Sequence, residues 1–93
     1  METYENLANA IILQAVKDYR HALRYLKRHP HTQDLDSEES MQDMRKRALR
    51  SMIIRKEGER DEIEQFFRSG WFEALSNLNG VALLNKVRSM EVG

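Results

Sequence analysis

Three histidines, one dense run of basic residues and a crowd of aromatics are the side chains here whose types could do chemistry. His29 and His31 flank Pro30, and His21 lies eight residues before His29. Imidazole pairs bind zinc-like cations, but a site needs three or four ligands at recurring spacings. No further His, Cys or acid stands at such a spacing, so no metal and no cofactor are expected. Cysteine is absent, which removes disulfides and thiolate catalysis. No glycine-rich phosphate loop occurs, and no nucleophile is spaced beside a base. The carboxylates read as surface charges of helices, and an enzyme is not expected.

The basic run is more informative. Residues 45–56, RKRALRSMIIRK, carry six bases and no acid. Before them, residues 34–43 carry five acids and no base, and after them residues 57–64 carry five acids against Arg60. Such a block could grip phosphates, meet an acidic protein surface, or pair with a second copy running antiparallel. Helical geometry weakens the phosphate reading, because Arg45 and Arg47 stand about 200° apart around a helix. A solvated helix with partners at i,i+4 explains the same pattern, with Asp43 available to Arg47.

The stretch FFRSGWFEAL places Phe66, Phe67, Trp71 and Phe72 within seven residues. As structure, Phe67 and Trp71 would fill a core where two helices meet, with Gly70 allowing the backbones to approach. As function, Trp71 or Phe72 with Arg68 would form an exposed anchor, since Trp and Arg are typical binding hot spots. The usual burial of aromatics favours the first reading. So small a domain cannot bury both faces of the cluster, so one ring is expected to stay partly exposed. Tyr19 belongs to the core and Tyr25 to the surface. Met41, Met44 and Met52 form an apolar stripe read as core, although methionine faces also suit binding.

The elements that must position these residues are helices. Ninety-three residues with one Pro, four Gly and no alternating Val/Ile/Thr pattern point to a single all-α domain. A formal charge of zero, 15 basic against 15 acidic residues, suits neither a general nucleic-acid binder nor a strongly acidic mimic. No apolar run reaches the roughly 18 residues of a membrane span, and METYENLANAI lacks the basic start and cleavage site of a signal peptide. The cytoplasm is the expected setting, since the chain has no cysteine to pair. A first helix is expected over 4–29, capped by Thr3 with Glu2 and Glu5 near its positive end, and ended by Pro30. Ala8, Ile12, Ala15, Tyr19, Ala22 and Leu26 step along it at heptad spacing. A loop follows over 30–36, then a middle helix over 37–68 capped by Asp36 or Ser37, either continuous or broken at Gly58. A short helix over 71–76 capped by Ser69, a turn, and a last helix over 80–90 capped by Asn79 complete the chain. The expected architecture is a small bundle of three to four helices. Its long first helix packs on the long middle helix, and the C-terminal pair closes one end.

LANAIILQAVKDYRHALRYLKR (residues 7–28) and IEQFFRSGWFEALSNLNGVALLNKVR (residues 63–88) together resemble a group of short proteins encoded in prophages and integrative elements of Gram-positive bacteria. Those proteins carry an AVKDYR helix, an FFRSxWF segment, a turn and a closing helix. The closing helix of that group follows Asp-Gly and carries an aromatic, whereas here Asn79-Gly80 precedes Val81 and Ala82. The resemblance implies a mobile-element accessory protein. By analogy with small phage proteins, the expected function is stoichiometric binding of a host protein, as an anti-CRISPR-like inhibitor of a CRISPR effector or another defence protein. The expected partner-binding residues are Arg45, Arg47, Arg50, Arg55, Arg68, Trp71 and Phe72. One alternative is a nucleic-acid-binding regulator, because residues 69–88 have the size of a helix-turn-helix, though the second helix offers only Lys86 and Arg88 as bases. Another is an oligomeric sponge for a small anionic ligand. No membrane partner is expected, and a homodimer is compatible with all three.

Overall fold

Apolar residues repeating every three or four positions put one stripe of each helix in search of a partner. The computed structural model, which describes residues 4–92, is an all-α bundle. Its elements are α1 (Tyr4–Arg28), a 3-10 turn (Gln33–Asp36), α2 (Glu38–Gln42), α3 (Met44–Arg68), α4 (Gly70–Leu75) and α5 (Gly80–Val92). Thr3 and Glu2, expected at the first cap, lie outside the described residues, as does the side chain of Glu5.

α1 buries the seam that its spacing defines: Ala8, Ile12, Tyr19 and Ala22 are buried, while Ala15 and Leu26 are half-buried. Its partner is α3, and the two run antiparallel. Tyr19 reaches Glu64, whereas His31, beyond the C-terminal end of α1, reaches back to Glu57. α5 lies against both, and the end of its helix is clamped to α1. Glu91 accepts hydrogen bonds from Arg20 Nε (2.6 Å) and Arg24 Nε (3.0 Å), and Lys27 donates to its carbonyl oxygen. These arginines hold the Glu91 carboxyl below its ordinary range. The core gathers Ile12, Tyr19, Phe67, Phe72, Leu84 and Val87 where α1, α3, α4 and α5 converge.

The middle segment departs from the sequence expectation. The break falls at Asp43, not at Gly58. Asp43 is extended, and its carboxylate accepts from the Arg45 and Lys46 amides at 2.9 and 3.2 Å. That cap satisfies donors which a continuous helix would take from the preceding turn, so α2 stops and α3 starts afresh. Across Gly58, α3 continues unbroken; one exposed glycine costs only about 1 kcal/mol, less than ending a helix without caps. Ser37 caps α2, accepting from the Ser40 amide. Ser37 and Ser40 hydroxyls both donate to the Asp34 carbonyl, fixing the 3-10 turn to α2. Asp36 does not cap; it turns toward His31 and Arg50.

The C-terminal junctions also differ in detail. Ser69 stands at the cap position of α4, but its hydroxyl donates back to the Phe66 carbonyl (2.6 Å) and leaves the α4 amides alone. Asn79 does cap α5, through Oδ1 and the Ala82 amide at 3.0 Å. Gly70 has open space around its Cβ position, so it is not the close approach. Gly80 is: a Cβ there would run into the Phe67 carbonyl oxygen.

Candidate functional site

Two consecutive helical residues point about 100° apart, and the aromatic elbow uses that difference. Phe72 is fully buried, edge-on to Phe66 and tilted on Phe67 at 5.2 Å between ring centres. Trp71, one residue earlier, is 74% exposed. The expectation that Trp71 fills the core is therefore overturned, and so is that of Phe72 as a partner contact: its ring has no surface to offer. Arg68 is exposed on the last turn of α3, three positions before Trp71. Leu78 and Val81, 57% and 47% exposed, stand beyond it. A cleft of about 290 Å3 lies between the α3 end and the α5 start, lined by Arg68, Glu73, Leu78 and Val81 among others. One end of the bundle thus carries an indole, a guanidinium and two aliphatic side chains at its surface.

The basic block splits. Lys46 pairs with Asp34 (3.1 Å) and Arg50 with Asp36 (2.8 Å), so the acidic run before α3 folds back onto the basic run within it. Arg50 is half-buried against that strap and is not free for a partner. Arg55 lies 3.6 Å from Glu59, and Lys56 shares the same carboxylate at 3.2 Å. Arg45 and Arg47 are exposed and make no ion pair among the described residues. The expected Asp43–Arg47 pair does not form, because the Asp43 carboxylate is engaged at the cap. Met41, Met44 and Met52, expected in the core, are 43%, 83% and 39% exposed. α1 ends at Arg28, and the 3-10 turn with α2 covers only the side of α3 that carries buried Ile53.

Two polar features were not foreseen. The Tyr19 hydroxyl, buried in the core, donates to Glu64 Oε2 at 2.7 Å. Burial, reinforced by that carboxylate, holds its phenol well above the ordinary range, so it stays a neutral donor. Among the described residues no buried side-chain polar atom lacks a partner. His31 is the second. Its Nε2 lies 3.0 Å from Asp36 and its Nδ1 3.1 Å from Glu57. Both ring nitrogens therefore face carboxylates, which suits the doubly protonated imidazolium. Asp36 first, then Glu57, raise its pKa above the ordinary 6.5, while His31 and Arg50 lower that of Asp36 below 3.8. The sign follows by linkage. The His31 contribution is complete below about pH 6.5 and fades as pH rises through the raised value. The Asp36 contribution is present above its ordinary value and fades as pH falls through the lowered one. The strap holding residues 31–36 to α3 is thus tightest in mildly acidic solution. NMR titration should give a His31 midpoint above the ordinary imidazole value, and the Leu35 amide, its exchange corrected for the intrinsic rise with pH, should be less protected at pH 9 than at pH 6. In His31→Gln that difference in protection should vanish.

The histidines do not converge: His29 lies tilted against Tyr25, 4.5 Å between ring centres, while His31 lies between Asp36 and Glu57. Among the described residues no cluster of three metal-binding side chains forms, and no helix is long and apolar enough to cross a membrane. Comparisons with protein families, curated proteins and solved structures give no match.

Proposed function

We propose that this protein acts by binding another protein in stoichiometric amounts through the end of the bundle that carries Trp71 and Arg68. The observation behind the reading is Trp71 itself, 74% exposed beside a fully buried Phe72. Leaving a large amphipathic ring in water forgoes stability that its burial would supply. Tryptophan and arginine together are the residue types that dominate binding energies when a partner covers them. Leu78 and Val81 line the cleft beside Arg68, with Glu73 and Asn77 as its polar members. The resemblance of the AVKDYR and FFRSxWF blocks to mobile-element proteins suggests the partner class: a host protein, with a defence protein such as a CRISPR effector first among them.

The test is affinity capture from nuclease-treated bacterial lysate with the wild-type chain and with Trp71→Ala/Arg68→Glu. The wild type should retain one partner near equimolar ratio, and the variant should lose it by about tenfold or more with an unchanged circular dichroism spectrum. A partner held equally by both chains, or none held by either, removes this reading. Retention of nucleic acid alone, when nuclease is left out, would favour the regulator instead.

A further inference from the structure

α4 and α5 cover one face of the α1–α3 pair and leave the opposite face bare. The side of α1 that meets α5 is marked by Arg20, and Asp18 stands about 200° around the helix from it. On that far side, Ile11, Ala15, Ile63 and Phe66 line an apolar groove of about 380 Å3 between α1 and α3, with Asp18 and Glu62 on its rim. The same side of α3 continues past the cover of α1. Met44, Arg47, Ala48 and Ser51 line a shallow cleft of about 300 Å3 there. Met44, Ala48, Ser51, Arg55, Glu62 and Phe66 recur at intervals of three, four or seven residues, so they share one line along the helix. The face is therefore one strip with apolar ends and two electrical halves, basic toward Met44 and acidic toward Phe66.

We propose that this face is covered by a second copy of the same chain, laid antiparallel along α3. Charge decides both the occupant and the direction. On this face the bases are Arg47 and Arg55, since Lys46 and Arg50 are held by the strap, and the acids are Glu59 and Glu62. A parallel copy would set like on like. An antiparallel copy sets each basic half over the other's acidic groove, and the two-fold axis crosses near Gly58. In that register Arg55 stands opposite Glu59 of the second copy, and Ala48 opposite Phe66. Both contacts occur twice. Gly58 is exposed, with nothing within 4 Å of its Cβ position, so the helices meet where one of them has no side chain. From Met44 to Phe66 the strip runs about 33 Å, and along its acidic half α1 widens it. The dimer leaves Trp71 at the bundle end outside the contact, so it does not rest on the proposed function.

Sedimentation equilibrium on the full chain, over a wide concentration range, tests it. The wild type should fit a monomer–dimer equilibrium that weakens with salt. Arg55→Glu should raise the dissociation constant by about a hundredfold, since the pair is broken twice, and Arg55→Glu/Glu59→Arg should restore the dimer. Gly58→Gln should also give a monomer, and its helix content should not fall, because the added side chain meets open space in the single chain. Trp71→Ala should leave the dimer intact. A wild type that stays monomeric throughout overturns the proposal and leaves the face to another partner. A dimer that survives both Arg55→Glu and Gly58→Gln, or that Trp71→Ala abolishes, overturns it as well.

Discussion

Replacing Gly80 with alanine should lower the stability of this protein by about 3 kcal/mol, with a fall in Tm of roughly 12–24 °C for a domain of this size. The residue opens α5, where alanine would ordinarily be the better helix former. Packing reverses that sign. The added methyl would run into the Phe67 carbonyl oxygen and sit 3.1 Å from the Phe67 carbonyl carbon and 3.0 Å from Phe72 Cδ1. Two of those atoms are backbone in the last turn of α3 and have no rotamer to escape into. α5 itself must move, and with it Leu84 and Val87, which complete the core. Overpacking of this kind typically costs 1–3 kcal/mol and sometimes more; a backbone obstacle puts this case at the upper end. Gly70→Ala is the matched control. That glycine also opens a helix, and its Cβ position meets nothing, so the change should be neutral or slightly stabilising. Thermal and urea unfolding of the two variants, followed by circular dichroism, decides the matter. Equal stability of Gly80→Ala and wild type would show that the α3–α5 contact is looser than described.

What the sequence made legible was set by local rules. The heptad seam of α1, its stop before Pro30 and the Asn79 cap each depend on a few neighbouring residues, and the structure contains all three. The failures came where two local options compete or where distance in sequence is large. The sequence offers only Gly58 as a break in the middle helix, and the structure puts the break at Asp43 instead; a capping carboxylate satisfies donors, whereas glycine only weakens a preference. The sequence reading puts the close approach at Gly70, and only the meeting of α3 with α5 shows that Gly80 is the crowded one. The clamp from Glu91 to Arg20 and Arg24 spans 71 and 67 residues, and the Tyr19–Glu64 bond spans 45. No spacing rule reaches that far. The methionines of α2 and α3 failed for another reason. Their periodicity correctly marked an apolar face, but periodicity does not say whether the chain itself covers that face. Arg45 and Arg47 kept their candidacy, Arg50 lost it to Asp36, and Arg55 became half of a pair whose other half the second copy would share.

The elbow gives the sharpest contrast between adjacent residues. Phe72→Ala should cost about 3–5 kcal/mol, the range for deleting a buried phenylalanine ring, which is most of what so small a domain holds in reserve. Phe72 is fully buried, and its ring touches those of Phe66 and Phe67. The cavity left behind would lie between the α3 end and the α5 start, where Gly80 already brings the backbones together, so collapse can fill little of it. Trp71→Ala, one position away, should change stability by no more than about 0.5 kcal/mol, as for an ordinary surface substitution. The same pair of variants separates folding from recognition. If Trp71 is the anchor, Trp71→Ala keeps its unfolding midpoint and loses the partner. Phe72→Ala would lose the partner only as far as it loses the fold, and partner binding would return under conditions that refold it. Should Trp71→Ala instead melt far below wild type, the indole is a packing residue despite its exposure, and the anchor must be sought along the bare face of α3.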